Sequence, residues 1–376
     1  MARYGFVSTY PPTRCGLATF TAALVQAMVR TGIDEAVVVR VDDLVPSGPA
    51  VPSHGVRQVG YLHPEDPRSR VAAVERLNEC DLVIVQHEYG IYGGRDGEEV
   101  IALLAGILPT KIVVLHTVLS EPSPHQREVL QQVVDSADQV VVMTRKAQAI
   151  IAEQYLVPES RLSLIPHGVD PWRPAAPIIR ASARPVVLTW GLIGPGKGIE
   201  WGIRAMACLG DFAPRPIYRV LGQTHPKVLR DEGDRYRLSL EELARHLGVS
   251  EDVEIDGRYQ ESTQLAKQVA GADLVLLAYD SKDQATSGVL AEAVAAGKVV
   301  IATRFPHAVE LLSGGEGILV GHQRPLEIAN AIRESLATPL WAAAAAARSR
   351  ETASANSWAN TADRYRALTT ADAVPA

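Results

Sequence analysis

Residues 186–198 read Val-Val-Leu-Thr-Trp-Gly-Leu-Ile-Gly-Pro-Gly-Lys-Gly, and a helical stretch begins at Ile199. The order is a buried strand, a glycine-rich turn with one lysine, and a helix. Such a turn presents backbone N–H groups and a cation to an anion, and the usual anion is a phosphate group. The stretch therefore predicts an α/β domain with a phosphate site after one strand, where Gly196 and Lys197 bind the ligand.

The same turn nearly matches the G-x-x-x-x-G-K-[ST] loop of nucleoside triphosphatases. Its last position is Gly198, which has no hydroxyl group to hold magnesium, and no apolar strand ends in an obvious partner aspartate. A P-loop ATPase or GTPase remains an alternative. A tight turn with a solvated lysine and no ligand is another.

Short β-branched runs alternate with amphipathic stretches along the chain, which is typical of parallel sheets with helices on both faces. The predicted strands of the first half are residues 4–8, 36–41, 82–86, 111–115, 139–143 and 162–165. Those of the second half are 185–190, 216–221, 252–255, 273–278 and 298–303.

Pro171, Pro174 and Pro177 separate the two halves, since proline continues neither a helix nor a central strand. We therefore predict one α/β domain at residues 1–170, a linker at 171–184 and a second α/β domain at 185–350. The remaining segment, 351–376, is predicted to form a helix that packs back on the first domain.

The composition limits the class of protein. The 376 residues suffice for two domains and carry a net charge of −6, with 47% hydrophobic and 21% charged residues. This acidic balance argues against a protein that mainly binds nucleic acid, which requires a basic surface. Cys15, Cys80 and Cys208 are too few and too widely spaced for a disulfide framework or a zinc site. With no signal-peptide core and no membrane-spanning run, we expect a cytoplasmic protein with at most peripheral membrane contact.

A second anion site is predicted within residues 279–297. A polar loop follows a strand, and a helix starts near Ser287 and Gly288 and stops at Gly297. The free N–H groups at such a helix start attract an anion. Glu292 lies a turn or two further along, where a carboxylate would accept hydrogen bonds from hydroxyl groups such as those of a ribose.

An aromatic turn follows the strand at 82–86, and residues 87–94 read His-Glu-Tyr-Gly-Ile-Tyr-Gly-Gly. Tyrosine rings can stack on sugar rings. The turn therefore predicts an acceptor-binding segment with His87, Glu88, Tyr89 and Tyr92 as its contacts. A structural turn with buried tyrosines is the alternative.

Together these stretches resemble the retaining glycosyltransferases of family 4, also called group 1. The resemblance rests on the glycine-lysine loop, the spacing from Gln284 to Glu292, Ile-Pro-His-Gly-Val-Asp at 165–170, Leu-His-Thr at 115–117 and Gly16 in the first loop. It implies an α/β fold of two Rossmann-like domains that face each other across a cleft, the GT-B architecture, with residues 1–170 on the acceptor side and 185–350 binding the nucleotide sugar.

The resemblance also implies roles for individual residues. Lys197 would bind the diphosphate of a nucleotide-sugar donor, together with the backbone N–H groups of Ser287, Gly288 and Val289. Glu292 would hold the ribose.

Three further roles concern the sugar and the first loop. Gln284 and His116 would contact the donor sugar, and Gly16 would let the first loop approach the phosphate closely. Gln284 replaces a carboxylate of the family, and Leu192 replaces an arginine. The second cation on the diphosphate would then have to come from Arg258 or Arg14.

The implied activity is transfer of a hexose from GDP-mannose or a UDP-sugar to a hydroxyl group of a carbohydrate or other acceptor, with retention of configuration. Because the chain has no D-x-D motif, we expect a lysine and a helix dipole to stabilise the leaving diphosphate, with no metal and no cofactor. The alternatives are a non-catalytic nucleotide-sugar sensor, a P-loop NTPase, or a phosphorylase that uses free phosphate.

Overall fold

The computed structural model describes residues 1–41, 55–64, 66–170, 184–281 and 286–368. The chain divides into two compact units. The first comprises Met1–Gly168 and the chain from Asn356 onward, and the second comprises Val169–Ala355. Most of the predicted linker (171–183) and the end of the predicted final segment (369–376) lie outside the described residues.

The first unit contains a sheet of seven parallel strands in the order β3-β2-β1-β4-β5-β6-β7. The strands are β1 (Arg3–Ser8), β2 (Glu35–Val41), β3 (Val56–Leu62), β4 (Leu82–His87), β5 (Thr110–Leu115), β6 (Gln139–Val142) and β7 (Leu162–Leu164). The connecting helices are α1 (Gly16–Met28), α2 (Pro67–Leu77), α3 (Glu99–Gly106), α4 (Pro124–Asp135) and α5 (Arg145–Gln154). Separate apolar clusters form on the two faces of the sheet. Central strands are therefore buried on both sides and read as continuous apolar runs.

The second unit repeats this plan with six parallel strands in the order β10-β9-β8-β11-β12-β13. Its strands are β8 (Val186–Trp190), β9 (Ile217–Leu221), β10 (Val253–Asp256), β11 (Leu274–Leu277), β12 (Val299–Thr303) and β13 (Gly317–Val320). Its helices are α6 (Ile199–Ala207), α7 (Pro226–Glu232), α8 (Arg235–His246), α9 (Ser262–Gly271), α10 (Gly288–Ala295), α11 (Pro306–Leu312), α12 (Pro325–Ala337) and α13 (Pro339–Ala355).

The last described helix, α14 (Trp358–Ala367), packs against α1 in the first unit. The Trp358 ring meets the Phe20 ring edge to face, with centroids 5.1 Å apart. It also covers Gly168, where a Cβ atom would lie 2.2 Å from the indole. None of the helices described is long and apolar enough to span a bilayer.

In each sheet the strand order reverses between two neighbouring central strands. In the first sheet the chain runs outward from β1 to β3 on one side and from β4 to β7 on the other. In the second sheet the reversal lies between β8 and β11. Ligands of such sheets bind beyond the carboxyl ends of the strands at this switch point. The segments that follow β1, β4, β8 and β11 are therefore the candidate sites, and they carry most of the predicted functional residues.

Every predicted strand is present, with ends that differ by one residue. The sequence analysis missed β3 and β13. The β3 stretch carries arginine, glutamine and glycine in place of an apolar run, and its register with β2 shifts between Val38 and Val39. The β13 stretch is a four-residue edge strand that is only partly buried, so neither shows the continuous apolar pattern of a central strand.

Candidate functional site

The glycine-lysine loop after β8 is pressed against the end of β11. Gly198 has a φ of 63°, and a Cβ atom there would lie 1.7 Å from the carbonyl oxygen of Ala278. Only glycine fits this position, because a side chain would collide with that carbonyl group. A serine or threonine that binds magnesium in a P-loop would occupy this same position. The geometry therefore removes the main reason to consider a P-loop NTPase.

The segment after β9 braces the loop from its other side. The N–H group of Gly191 donates to Leu221 at 3.0 Å, and that of Ile193 donates to Gln223 at 2.8 Å. The N–H group of His225 then donates back to Ile193 at 2.7 Å. These bonds continue the β8–β9 pairing beyond the strand ends, so the start of the loop is fixed by the same kind of backbone hydrogen bonds as the sheet.

Lys197 lies over an aromatic ring. Its Nζ atom is 4.4 Å from the centroid of the buried Tyr279 ring, which stacks on Phe305 with centroids 5.0 Å apart. The N–H group of Asp280 donates to the carbonyl oxygen of Gly196 at 3.0 Å and ties the loop to the chain after β11. In the described part of the chain no carboxylate forms an ion pair with Lys197, so its ammonium group is available to an anion.

At the start of α10, Ser287 makes one hydrogen bond that the sequence did not predict. Ser287 caps the helix, and its hydroxyl accepts the N–H group of Leu290 at 3.2 Å. Its own N–H group donates to Nδ1 of His307 at 2.9 Å. The phosphate contact through the Ser287 N–H group stays a prediction, and in this arrangement a buried imidazole accepts that N–H group. The N–H groups of Gly288 and Val289 belong to the first helical turn and have no partner within the helix.

The two predicted anion sites lie side by side. A Cβ atom on Gly191 would be 3.6 Å from Cγ2 of Val289, in the first turn of α10. The Tyr279 ring that seats Lys197 carries a hydroxyl group 3.5 Å from the Ser287 hydroxyl. The lysine loop and the helix start thus belong to one site at the switch point of the second sheet, which we call the donor site.

Glu292 faces the end of β8. Its Oε2 atom accepts the indole N–H of Trp190 at 3.2 Å. Burial raises the pKa of the Glu292 carboxyl group, and the bond from Trp190 acts in the opposite direction. Among the described residues, no protein group donates a hydrogen bond to the second carboxylate oxygen, which is compatible with the predicted role as an acceptor for ribose hydroxyl groups.

The structure leaves two predicted donor contacts without support. Gln284 lies outside the described residues, so its contact with the sugar stays a prediction. Arg258 follows β10, which β9 separates from β8, and its guanidinium is bound to the Asp256 carboxylate at 2.9 and 2.7 Å. This pair lowers the pKa of Asp256 to about 2. A contact between Arg258 and the diphosphate stays a prediction; in this arrangement its exposed guanidinium pairs with Asp256 instead.

In the first unit, His116 lies directly after β5. Its Nε2 atom is 2.7 Å from Oε1 of Gln86, and the amide oxygen can only accept, so Nε2 carries the proton. Burial lowers the pKa of His116 to about 3, with smaller effects from His167 and His87. The imidazole is therefore neutral near pH 7, and Nδ1 is a hydrogen-bond acceptor.

Two side chains of the aromatic turn after β4 are buried. His87 is fully buried, and burial lowers its pKa to about 4. Tyr92 is also buried, and its hydroxyl donates to the carbonyl oxygen of Gln86 at 2.9 Å. The acceptor contacts of His87 and Tyr92 stay a prediction, and the burial of both side chains favours the alternative of a structural turn.

The other two residues of this turn are partly accessible. The Tyr89 ring meets His87 edge to face at 5.1 Å, and its hydroxyl is buried. Glu88 is half-buried, with Oε2 accepting from the Thr117 hydroxyl at 2.7 Å and Oε1 accepting the N–H group of Tyr89 at 3.0 Å. Contact of Glu88 and Tyr89 with an acceptor stays a prediction.

Gly16 is the first residue of α1, and a Cβ atom there would meet no atom within 4 Å. Packing within the first unit therefore does not require glycine, which leaves close approach of a ligand as its predicted reason. The preceding residue, Cys15, caps the helix through Sγ, which accepts the N–H group of Ala18 at 3.4 Å. The sequence did not predict this capping role of Cys15.

Three residues that support the donor site were not predicted from the sequence: Tyr279, Phe305 and His307. The feature that could have identified them is their position, since each follows the carboxyl end of β11 or β12. Among the residues described, no group of three or more His, Cys, Asp or Glu side chains could hold a metal ion. Independence from metal stays a prediction.

Two family models match the chain. The model described as Glycosyltransferase Family 4 matches residues 15–173, and the model described as Glycosyl transferases group 1 matches residues 184–338. Similar curated proteins include two D-inositol 3-phosphate glycosyltransferases. That of Nocardiopsis dassonvillei is 28% identical over 273 residues, covering 68% of this chain and 62% of the relative. That of Rhodococcus opacus is 30% identical over 255 residues, covering 64% and 55%. The matched region thus spans about 60% of the length of these relatives.

Solved structures with a similar fold cover nearly the whole chain. Sucrose-phosphate synthase from Thermosynechococcus elongatus has a TM-score of 0.78 at 22% identity and covers 99% of this chain and 100% of that one. Anabaena HepE, solved in complex with UDP and glucose, has a TM-score of 0.74 at 16% identity and covers 98% and 100%. At these identities the likeness concerns the fold.

Proposed function

Because the chain belongs to the group 1 glycosyltransferases, we propose that it transfers a hexose from a nucleoside diphosphate sugar to a hydroxyl group of an acceptor. One observation carries the proposal: the Lys197 ammonium group, seated on Tyr279, lies in the same site as the start of α10. A cation and a helix N-terminus are independent attractors of an anion. Their position at the switch point of the second sheet is where such a fold binds nucleotides.

The leaving group determines what the site must do. Cleavage of the bond between the sugar and the nucleotide leaves negative charge on a diphosphate, and a fixed positive environment lowers the barrier by stabilising that charge. Lys197 supplies a full charge. The start of α10 adds the N–H groups of Gly288 and Val289 and a dipole worth about 0.3–2 kcal/mol. This arrangement supports our proposal that the transfer needs no metal ion.

The nucleoside and the sugar are assigned to separate residues. Glu292, held by Trp190, is proposed to accept hydrogen bonds from the ribose hydroxyl groups. In the first unit, His116 is proposed to accept a hydrogen bond from a sugar hydroxyl through Nδ1, since Nε2 is bound to Gln86. A neutral imidazole suits this role because it adds no positive charge beside a sugar carbon that becomes electron-poor. Retention of configuration is proposed from the family alone.

The comparisons support a choice of substrates to test. HepE was solved with UDP and glucose, so we propose UDP-hexoses first and keep GDP-mannose as the second donor. Because the similar curated proteins are named D-inositol 3-phosphate glycosyltransferases, we propose a polyol or sugar hydroxyl as the acceptor.

A turnover assay tests the proposal. Release of UDP or GDP is measured with each donor, with and without inositol phosphates or simple sugars, in the presence of EDTA and of magnesium. We expect release that requires an acceptor and persists in EDTA. Binding of the nucleotide without acceptor-dependent release would favour the non-catalytic sensor, and release that requires magnesium would contradict the metal-free mechanism.

A further inference from the structure

The connection from the end of β12 to the start of α11, residues 303–307, contacts the donor site through three side chains. The Thr303 hydroxyl donates to the carbonyl oxygen of Tyr279 at 2.6 Å. The fully buried Phe305 ring stacks on the Tyr279 ring with 23° between the planes. His307 accepts the N–H group of Ser287 through Nδ1 at 2.9 Å. The connection therefore supports both the ring beneath the lysine and the start of α10.

The contact between His307 and Ser287 is buried. The two residues are 5% and 6% exposed, so water does not replace the imidazole as a partner. A buried backbone N–H group needs an acceptor, and losing it costs as much as a broken hydrogen bond. The Ser287 hydroxyl meanwhile accepts the N–H group of Leu290 at 3.2 Å. The capping residue is thus fixed through its main chain on one side and its side chain on the other.

This fixation sets the direction of the neighbouring donors. The N–H groups of Gly288 and Val289 have no partner inside the helix, and their orientation follows from that of the capping residue. We propose that His307 is a positioning residue of the donor site, whose Nδ1 atom holds the start of α10 so that these two N–H groups point at the diphosphate. The inference rests on the proposed function, and it assigns His307 no contact with the nucleotide.

The chemistry of the contact defines a matched pair of variants. Because an N–H group donates to Nδ1, that atom is unprotonated in this contact. In His307→Asn, Oδ1 is attached to Cγ as Nδ1 is in histidine, so an acceptor remains at the same reach. In His307→Leu the side chain branches at the same atom and has no acceptor. Leu312→Ala, a buried position in the same helix, controls for weaker packing of α11.

The test is calorimetric titration of UDP and GDP into the wild type and these three variants, with thermal unfolding of each. We expect His307→Leu to raise Kd about tenfold, as loss of one buried hydrogen bond implies. His307→Asn should stay within about threefold of the wild type, and Leu312→Ala should lower Tm without changing Kd. In turnover, the leucine variant should raise the KM of the donor and leave the KM of the acceptor unchanged.

The outcomes separate this inference from the proposed function. A wild type that binds neither nucleotide overturns both. A wild type that binds while His307→Leu binds equally well, or while His307→Asn is as weak as His307→Leu, overturns only the role of His307. If the leucine variant does not fold, His307→Gln repeats the comparison, because it carries the same amide as asparagine one bond further out. A Kd for His307→Gln equal to that of His307→Asn would then overturn the inference.

Discussion

Gly198→Ala tests whether the glycine-lysine loop depends on close contact with the end of β11. At the observed φ of 63°, an alanine is strained by about 1–2 kcal/mol. Its Cβ atom would also lie 1.7 Å from the Ala278 carbonyl oxygen, so the loop has to move away. Overpacking of this kind typically costs about 1–3 kcal/mol. We therefore expect the free energy of unfolding to fall by about 2–5 kcal/mol, and nucleotide binding to weaken with it.

Gly196→Ala is the matched control for this prediction. Its φ is 87°, but a Cβ atom there would meet nothing within 4 Å, so only the backbone strain of about 1–2 kcal/mol applies. Urea unfolding measures both losses, and titration with UDP and GDP measures the effect on binding. Losses that agree within about 0.5 kcal/mol would refute the contact with Ala278 as the reason for glycine at position 198.

Two further predictions concern the first unit. Tyr92→Phe removes the hydroxyl that donates to the carbonyl oxygen of Gln86, so the free energy of unfolding in urea should fall by about 0.5–1.5 kcal/mol. The KM of the acceptor should not change. A large rise in that KM would instead support Tyr92 as an acceptor-binding residue. Acid should destabilise this unit, because the pKa of His87 is about 4 when folded and near 6.5 when unfolded, so the unfolded chain binds more protons between these values. His87 alone should lower the stability by up to about 3 kcal/mol from pH 6.5 to pH 4, and the lowered pKa of His116 adds to this fall. An unchanged pH dependence in His87→Phe would contradict the contribution of His87.

The sheet could be predicted from the sequence because its central strands are buried on both faces. Strands such as β11 and β12 are apolar at almost every position, and the glycine-rich turn after β8 marks where a strand gives way to a helix. β3 and β13 could not be found in this way. They lie at the sheet edges, where one neighbour is missing and polar residues and glycine are tolerated.

The local structure around the proposed ligand-binding residues was also predictable in part. Lys197, Gly288 and Val289 follow strand ends, and the helix start at Ser287 has the local signal of a capping residue. What the sequence did not show was the acceptor for the Ser287 N–H group. His307 is 20 residues away and reaches Ser287 only because β11 and β12 are neighbours in the sheet.

Burial separates the two interpretations of the aromatic turn that the sequence left open. His87 and Tyr92 lie in a turn rich in glycine and aromatic residues, which on sequence grounds suits either sugar contact or packing. The alternation along β4 directs His87 into the core, and Tyr92 folds back to the carbonyl oxygen of Gln86. Which of two such functions applies depends on packing across the sheet, and local sequence carries no record of that.

The most direct test of the donor site is calorimetric titration of UDP, GDP and ADP, each without metal, into the wild type, Lys197→Ala and Lys267→Ala. Lys267 is an exposed lysine on α9 and controls for the loss of a positive charge elsewhere in the second unit. We predict that the wild type and Lys267→Ala bind one nucleotide equally well, and that Lys197→Ala binds it at least about tenfold more weakly, as loss of a charge-assisted hydrogen bond implies. Equal binding by all three proteins, or no binding by the wild type, would contradict the donor site.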